Sequence, residues 1–214
     1  MTDRPALPSR MAKLPRDPRG YPIPVIVLID QDGRPHFQIN DDVIVQRCLR
    51  DRLCSICGER LTRGTWFIGG AMSAFDPHGA YIDGPVHGEC ARYALQVCPY
   101  LAAPNYARRL DGKTNPRVPD HVVTLDRTVL EGRPTIFVAV MSRGFDLGRG
   151  DWQPVYRPRR PYMRVEYWRH GQQLDPAAAI DQLHDQGDWH EPDGFERPAE
   201  YRMDPVNLPP RRGR

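Results

Sequence analysis

Cys54-Ser55-Ile56-Cys57-Gly58 and, further along, His87-Gly88-Glu89-Cys90 decide how this chain is read. Two thiols separated by two residues and followed by glycine form a knuckle. The tight turn lets both sulfurs converge on one point, and the glycine permits the backbone conformation that aims them. The second pair is spaced i, i+3, which sets both side chains on one helical face. Asp83-Gly84-Pro85 just before it reads as a helix start, and the run His87 to Val97 is helix-like. The positive end of that helix favours a thiolate at Cys90. Cys54, Cys57, His87 and Cys90 together are the donor set of one tetrahedral Cys3His zinc ion.

Between the two pairs, Thr65-Trp66-Phe67-Ile68 and Ala80-Tyr81-Ile82-Asp83 flank a glycine-containing loop and predict a β-hairpin. Knuckle, hairpin and a helix donating the last two ligands is the order of elements in a treble-clef zinc site. The expected fold class is therefore α+β, with a treble-clef-like zinc module inside a small mixed domain. Two other uses of the cysteines weigh less. Five cysteines is an odd number for disulfide pairing, and nothing marks the chain for secretion. A redox Cys-x-x-Cys opens a helix in a βαβ setting, whereas this one follows a helix and leads into a hairpin.

Outside the knuckle the chain supplies strands and capped helices. Pro24 to Ile29 is β-branched, Asp32-Gly33 is a hairpin turn, and His36 to Ile39 reads as the returning strand. Asn40-Asp41-Asp42 caps a helix to about Asp51, with Ile44, Val45, Cys48 and Leu49 as its apolar stripe, so Cys48 is expected as a core thiol. Pro99 stops the next helix, and Cys98 is assigned to packing. Strands are expected at His121–Leu125, Thr135–Met141 and Tyr162–Trp168, a long loop from Ser142 to Pro161, a turn at His170-Gly171, and a helix after Asp175-Pro176. The division that follows is a basic, proline-rich disordered arm over 1–20, the zinc-binding α+β domain over 21–110, a β-rich part with a terminal helix over 120–186 that can pack on the first, and a disordered tail over 187–214.

With 214 residues, 40% of them hydrophobic, the chain can bury a core, while 23 prolines point to long irregular segments. Lys13 and Lys113 are the only lysines among 30 basic residues, an arginine bias that suits a GC-rich coding sequence. A net charge of +3 makes no polycation, so nucleic-acid binding must rest on local patches. No secretory segment or membrane span is legible, and the reading is cytoplasmic, where thiols stay reduced.

The densest part of the motif, Leu53 to Gly58 with His87 to Ala91 and Cys98-Pro99-Tyr100-Leu101, resembles a family of uncharacterised proteins of actinobacteria, proteobacteria and tailed phages. The resemblance covers about residues 20 to 185. It implies a phage or bacterial intracellular protein and implies no activity.

Three uses of such a scaffold follow. A non-enzymatic interaction protein with a macromolecular partner is favoured, a protein rather than a nucleic acid. A nucleic-acid-binding zinc protein is the alternative. Arg157, Arg159, Arg160, Arg164 and Trp168 interleave charge with aromatics, as phosphate contact and base stacking require. An HNH-like nuclease is the third. It would need a general-base histidine and a hard-metal site, for which only Asp76-Pro77-His78 is on offer. No nucleophile triad, phosphate loop or dinucleotide fingerprint is legible, so no catalytic residues are assigned.

Overall fold

The computed structural model describes residues 5–76, 78–103, 133–149 and 154–185. A short 3-10 helix at Ser9–Met11 precedes β1 (Val27–Ile29), β2 (Pro35–Asn40) and α1 (Asp42–Asp51). Next come β3 (Thr65–Gly69), α2 (Ala71–Phe75), α3 (Gly88–Val97) and α4 (Pro99–Ala102). The second half holds β4 (Phe137–Ser142), β5 (Phe145–Arg149), β6 (Pro154–Pro158), β7 (Arg164–Arg169), β8 (Gln172–Gln173) and α5 (Pro176–Asp185). This is a mixed α+β architecture with three antiparallel sheets among the described residues.

A four-stranded sheet ordered β3-β4-β7-β8 runs through the middle. Its central strand reads Phe137-Val138-Ala139-Val140-Met141, an unbroken apolar run rather than an alternating one, as a strand covered on both faces requires. Strand alternation then sorts the side chains. Trp66, Phe137, Ala139 and Trp168 point to one face, where α3 and the cysteine cluster pack. Phe67, Val138, Val140 and Tyr167 point to the other, against α2, α5 and Tyr156 of β6. Each large side chain buried this way contributes about 1.5–3 kcal/mol.

Helix α3 is also bound to the sheet by charge. Glu166 of β7, 1% exposed, accepts from Arg92 of α3 at 2.8 Å, from Arg164 at 2.8 Å and from the Trp168 indole at 3.3 Å. The Arg92 guanidinium lies 4.8 Å from the centre of the Trp66 ring. A carboxylate with this many donors is satisfied despite its burial.

Several expectations hold locally. Asp41 caps α1 by accepting from the Ile44 N–H, Cys48 is buried, and Pro99 follows the end of α3. Asp175 accepts from the Ala177 and Ala178 N–H groups at the start of α5. His170 and Gly171, both left-handed, close a two-residue hairpin into β8, the turn geometry that matches strand twist.

Others need correction. The segment Ala80–Asp83 does not pair with β3. That strand lies instead along β4, from Thr65↔Ser142 to Gly69↔Val138. The expected hairpin shrinks to one bridge between Trp66 and Val86, while Tyr81 bridges to Tyr156. The β4 run offers a five-residue ladder with both faces buried, which a four-residue segment beside α2 cannot match. The loop expected over Ser142–Pro161 contains the β5–β6 hairpin. One sheet takes β3 from the first of the two expected parts and β4, β7 and β8 from the second.

The amino-terminal arm is docked from residue 5 onward. Met11 and Leu14 join the core around the cysteines. Arg10 pairs with Glu59 at 2.7 Å and also with Glu89, bridging the knuckle to the first turn of α3. Arg16 and Pro22 form a bridge behind it. The strand expected at His121–Leu125 and the tail over 187–214 lie outside the described residues.

Met11 is 2% exposed and Val43 is 68% exposed. Met11→Ala should cost about 2–4 kcal/mol in denaturant unfolding, and Val43→Ala less than about 0.5 kcal/mol. Equal, small effects would mean the arm adds nothing to the fold.

Candidate metal centre

Helix α1 ends at Arg52 in the left-handed conformation, φ 54°, and the Leu53 N–H closes on the Cys48 carbonyl at 2.8 Å. This turns the chain straight into the knuckle. There Gly58, φ 73°, donates its N–H to the Cys54 carbonyl at 2.9 Å, and the Cys57 N–H points at Cys54 Sγ at 3.5 Å. The flanks pair as well: the Cys54 N–H reaches the Glu59 carbonyl at 2.8 Å, and Leu53 bridges Arg60. A side chain at position 58 would be strained by that φ and would meet Val25 Cγ1 at 3.0 Å.

The other pair comes from the start of α3. His87 is the N-cap residue, with extended backbone and no side-chain capping bond, because its ring is turned into the cluster. Its carbonyl accepts the Ala91 N–H at 2.9 Å, and Cys90 sits in the first turn. Gly88 allows this helix end to approach β3: a Cβ there would lie 2.7 Å from the Trp66 indole nitrogen.

The four donor atoms of Cys54, Cys57, His87 and Cys90 lie within 4.8 Å of one another, and all four residues are buried. His87 Nδ1 is 3.3 Å from Cys57 Sγ. A zinc ion bonded at about 2.3 Å to sulfur and about 2.0 Å to nitrogen holds tetrahedral donors roughly 3.5–3.8 Å apart, so the cluster is of the ion's size. The far side of the imidazole fits too. Nε2 is 3.1 Å from the Arg60 carbonyl, an acceptor, so that nitrogen carries a proton, and it is Nδ1 that would turn a lone pair on an ion once its own proton is displaced. The knuckle thus provides both a ligand pair and the outer partner that orients His87.

The donors also perturb one another's protonation. Hydrogen bonds from Cys57 and then Cys90 hold the Cys54 thiol far below its ordinary value, while bonding to Cys54 and Cys57 pushes Cys90 far above it. His87 is pushed up to about 10, chiefly by Cys54 and then Cys57. One negative charge is welcome in the cluster and further ones are not, unless a cation sits among them; binding of a divalent ion therefore displaces protons. Four protein donors complete a tetrahedron and leave no position for a reacting water, which is the arrangement of a structural site.

The remaining residues singled out in the sequence are placed as follows. Asp76 accepts the His78 N–H at 2.7 Å in a local turn, and His78 is exposed; neither joins the cysteine cluster, the one metal-competent group found among the described residues. Arg159 pairs with Asp146 at 2.6 Å and Arg164 with Glu166. Arg160 donates to the Ala74 and Asp76 carbonyls, both at 2.8 Å. Arg157 is exposed opposite Asp146 in the β5–β6 ladder. Trp168 is 4% exposed under α3, so its indole is not presented to a base or a partner. Sequence reasoning missed the Arg60 carbonyl and the Arg10 clasp. The first has no side-chain signature. The second was legible only as one arginine of a basic arm.

Comparison with protein-family models, curated proteins and solved structures finds no match. What stands of the motif resemblance is the buried Cys3His cluster, suited to one metal ion such as zinc. No helix among the described residues is long and apolar enough to cross a membrane.

Gly58→Ala should weaken zinc retention about tenfold, the cost of about 1–2 kcal/mol for forcing a side chain into left-handed backbone. Competition with a chromophoric chelator reads this directly; unchanged retention would show that the knuckle conformation does not set affinity.

Proposed function

We propose that the chain is a structural zinc protein whose knuckle-and-helix centre serves as a scaffold for recognising another macromolecule, with a protein partner favoured over nucleic acid. The closed, buried Cys3His donor set carries this reading. A site with four protein donors does no Lewis-acid chemistry on water; its product is folding energy. The ion would be held by Cys54, Cys57, His87 and Cys90, joining the knuckle to α3 and through Trp66 and Arg92 to the central sheet. A phage or bacterial origin rests on the motif resemblance alone.

The preference for a protein partner is supported by the fate of the basic-aromatic stretch. Tyr156, Tyr167 and Trp168 are core residues, and Arg159, Arg160 and Arg164 have protein partners. Stacking platforms and free cations, the two things a single-stranded nucleic acid grips, are thus largely spent there.

Metal analysis by mass spectrometry, on protein purified without added metal, should find about one zinc per chain in the wild type and depletion in Cys57→Ser. Chelation should reduce helical circular dichroism. A metal-free wild type of undiminished stability would sink the reading. Charge reversal at Arg157 and Arg159 together should leave oligonucleotide binding as weak as in the wild type; strong binding that collapses in that variant and with salt would favour the nucleic-acid alternative.

A further inference from the structure

We propose that the groove bounded by the docked arm, β1, α1 and the knuckle is a docking site for an amphipathic helix of a partner protein, one with an acidic side chain beside its aliphatic face. The inference deepens the interaction reading above and rests on it. The groove has a volume of about 410 Å³, inside the range of about 300–1,000 Å³ common for binding clefts. Its walls are aliphatic: Ile23 and Val25 from the segment after the arm, Ile29 from β1, Ile44 from α1 and Leu53 beside the knuckle. Ile29 stands 46% exposed at the rim.

Two further observations select the occupant. The only charged residue of the lining is Arg47, which is exposed and makes no ion pair among the described residues. An apolar trough with one free cation at its edge is complementary to an aliphatic stripe flanked by Asp or Glu.

Two of the wall's backbone donors are already committed: Ile23 donates to the Pro15 carbonyl at 2.8 Å and Val25 to the Ile56 carbonyl at 2.9 Å, while Pro15 and Pro24 have no N–H. A guest on this wall is therefore gripped mainly by side chains, the helix-in-groove mode. Cys57 and Gly58 form part of the wall, so the metal site shapes the groove.

The test pans a displayed library of random peptides of about 15 residues, four helical turns, against the zinc-loaded full chain. Arg47→Glu and Ile44→Asp serve as comparison proteins, each checked for zinc content and circular dichroism. Recovered peptides should carry aliphatic residues at i, i+3 or i+4, and i+7 with a neighbouring Asp or Glu. They should lose about 10- to 100-fold in affinity for Arg47→Glu, and a Lys in place of their acid should restore binding to that variant. Peptides that bind both variants as well as the wild type, a strand-like consensus, or no recovery at all would overturn the proposal. So would a wild-type dimer that Ile44→Asp dissociates, which gives the groove to a second copy. Full zinc occupancy with no groove-dependent peptide removes this inference alone. Groove-dependent peptides on a zinc-free wild type support the groove and remove the metal reading instead.

Discussion

Four donor atoms from two separate parts of the chain must meet at one point, and the rest of the fold can be understood as what that meeting requires. A structural zinc held by such a donor set would contribute about 10–16 kcal/mol, while a whole domain is stable by only about 5–15 kcal/mol. One coordination event would therefore be comparable to the net stability of everything else. The backbone features near it are subordinate to it: the left-handed Gly58, the left-handed Arg52 that turns α1 into the knuckle, and the N-cap position of His87, which gives up side-chain capping to offer a ring nitrogen.

The centre is not an isolated finger. Strand β3 carries Trp66 to the cysteine side and Phe67 to the opposite side of the same sheet, so its neighbours in sequence belong to different cores. Helix α3 supplies two ligands at its start and, one turn on, Arg92 to the buried Glu166. The metal site and the sheet consequently share one helix and one strand. Displacement at one is felt at the other through packed side chains rather than through a flexible joint.

What could be read beforehand follows the kind of physics involved. Spacing of Cys54, Cys57, His87 and Cys90 is chemical and local, and it was legible in full. So were Asp41, Asp175 and the His170-Gly171 turn, whose effects reach only a few residues. The β5–β6 hairpin was hidden because Pro154, Gly148 and Pro158 interrupt its alternation, although proline at strand ends costs no ladder bond. The arm was hidden by composition: Met11 and Leu14 are too few to raise the average of a segment full of Pro and Arg, yet two well-placed side chains suffice to dock it. Trp168 misled for a third reason. It shares a strand face with Arg164 and Glu166, which reads as solvated until a helix far away in sequence covers it.

The ladder between Thr65–Gly69 and Phe137–Ser142 also bears on how the protein is made. All four ligands have been synthesised once Cys90 emerges, whereas the strand that completes the pairing of β3 appears only with residue 137 and β7 only with residue 164. An ion taken up by the four donors would therefore close the knuckle on α3 during translation, while one face of β3 still lacks its cover. It would act as a placeholder, holding Trp66 and Phe67 in register on a nascent chain until the later strands arrive to take over their burial.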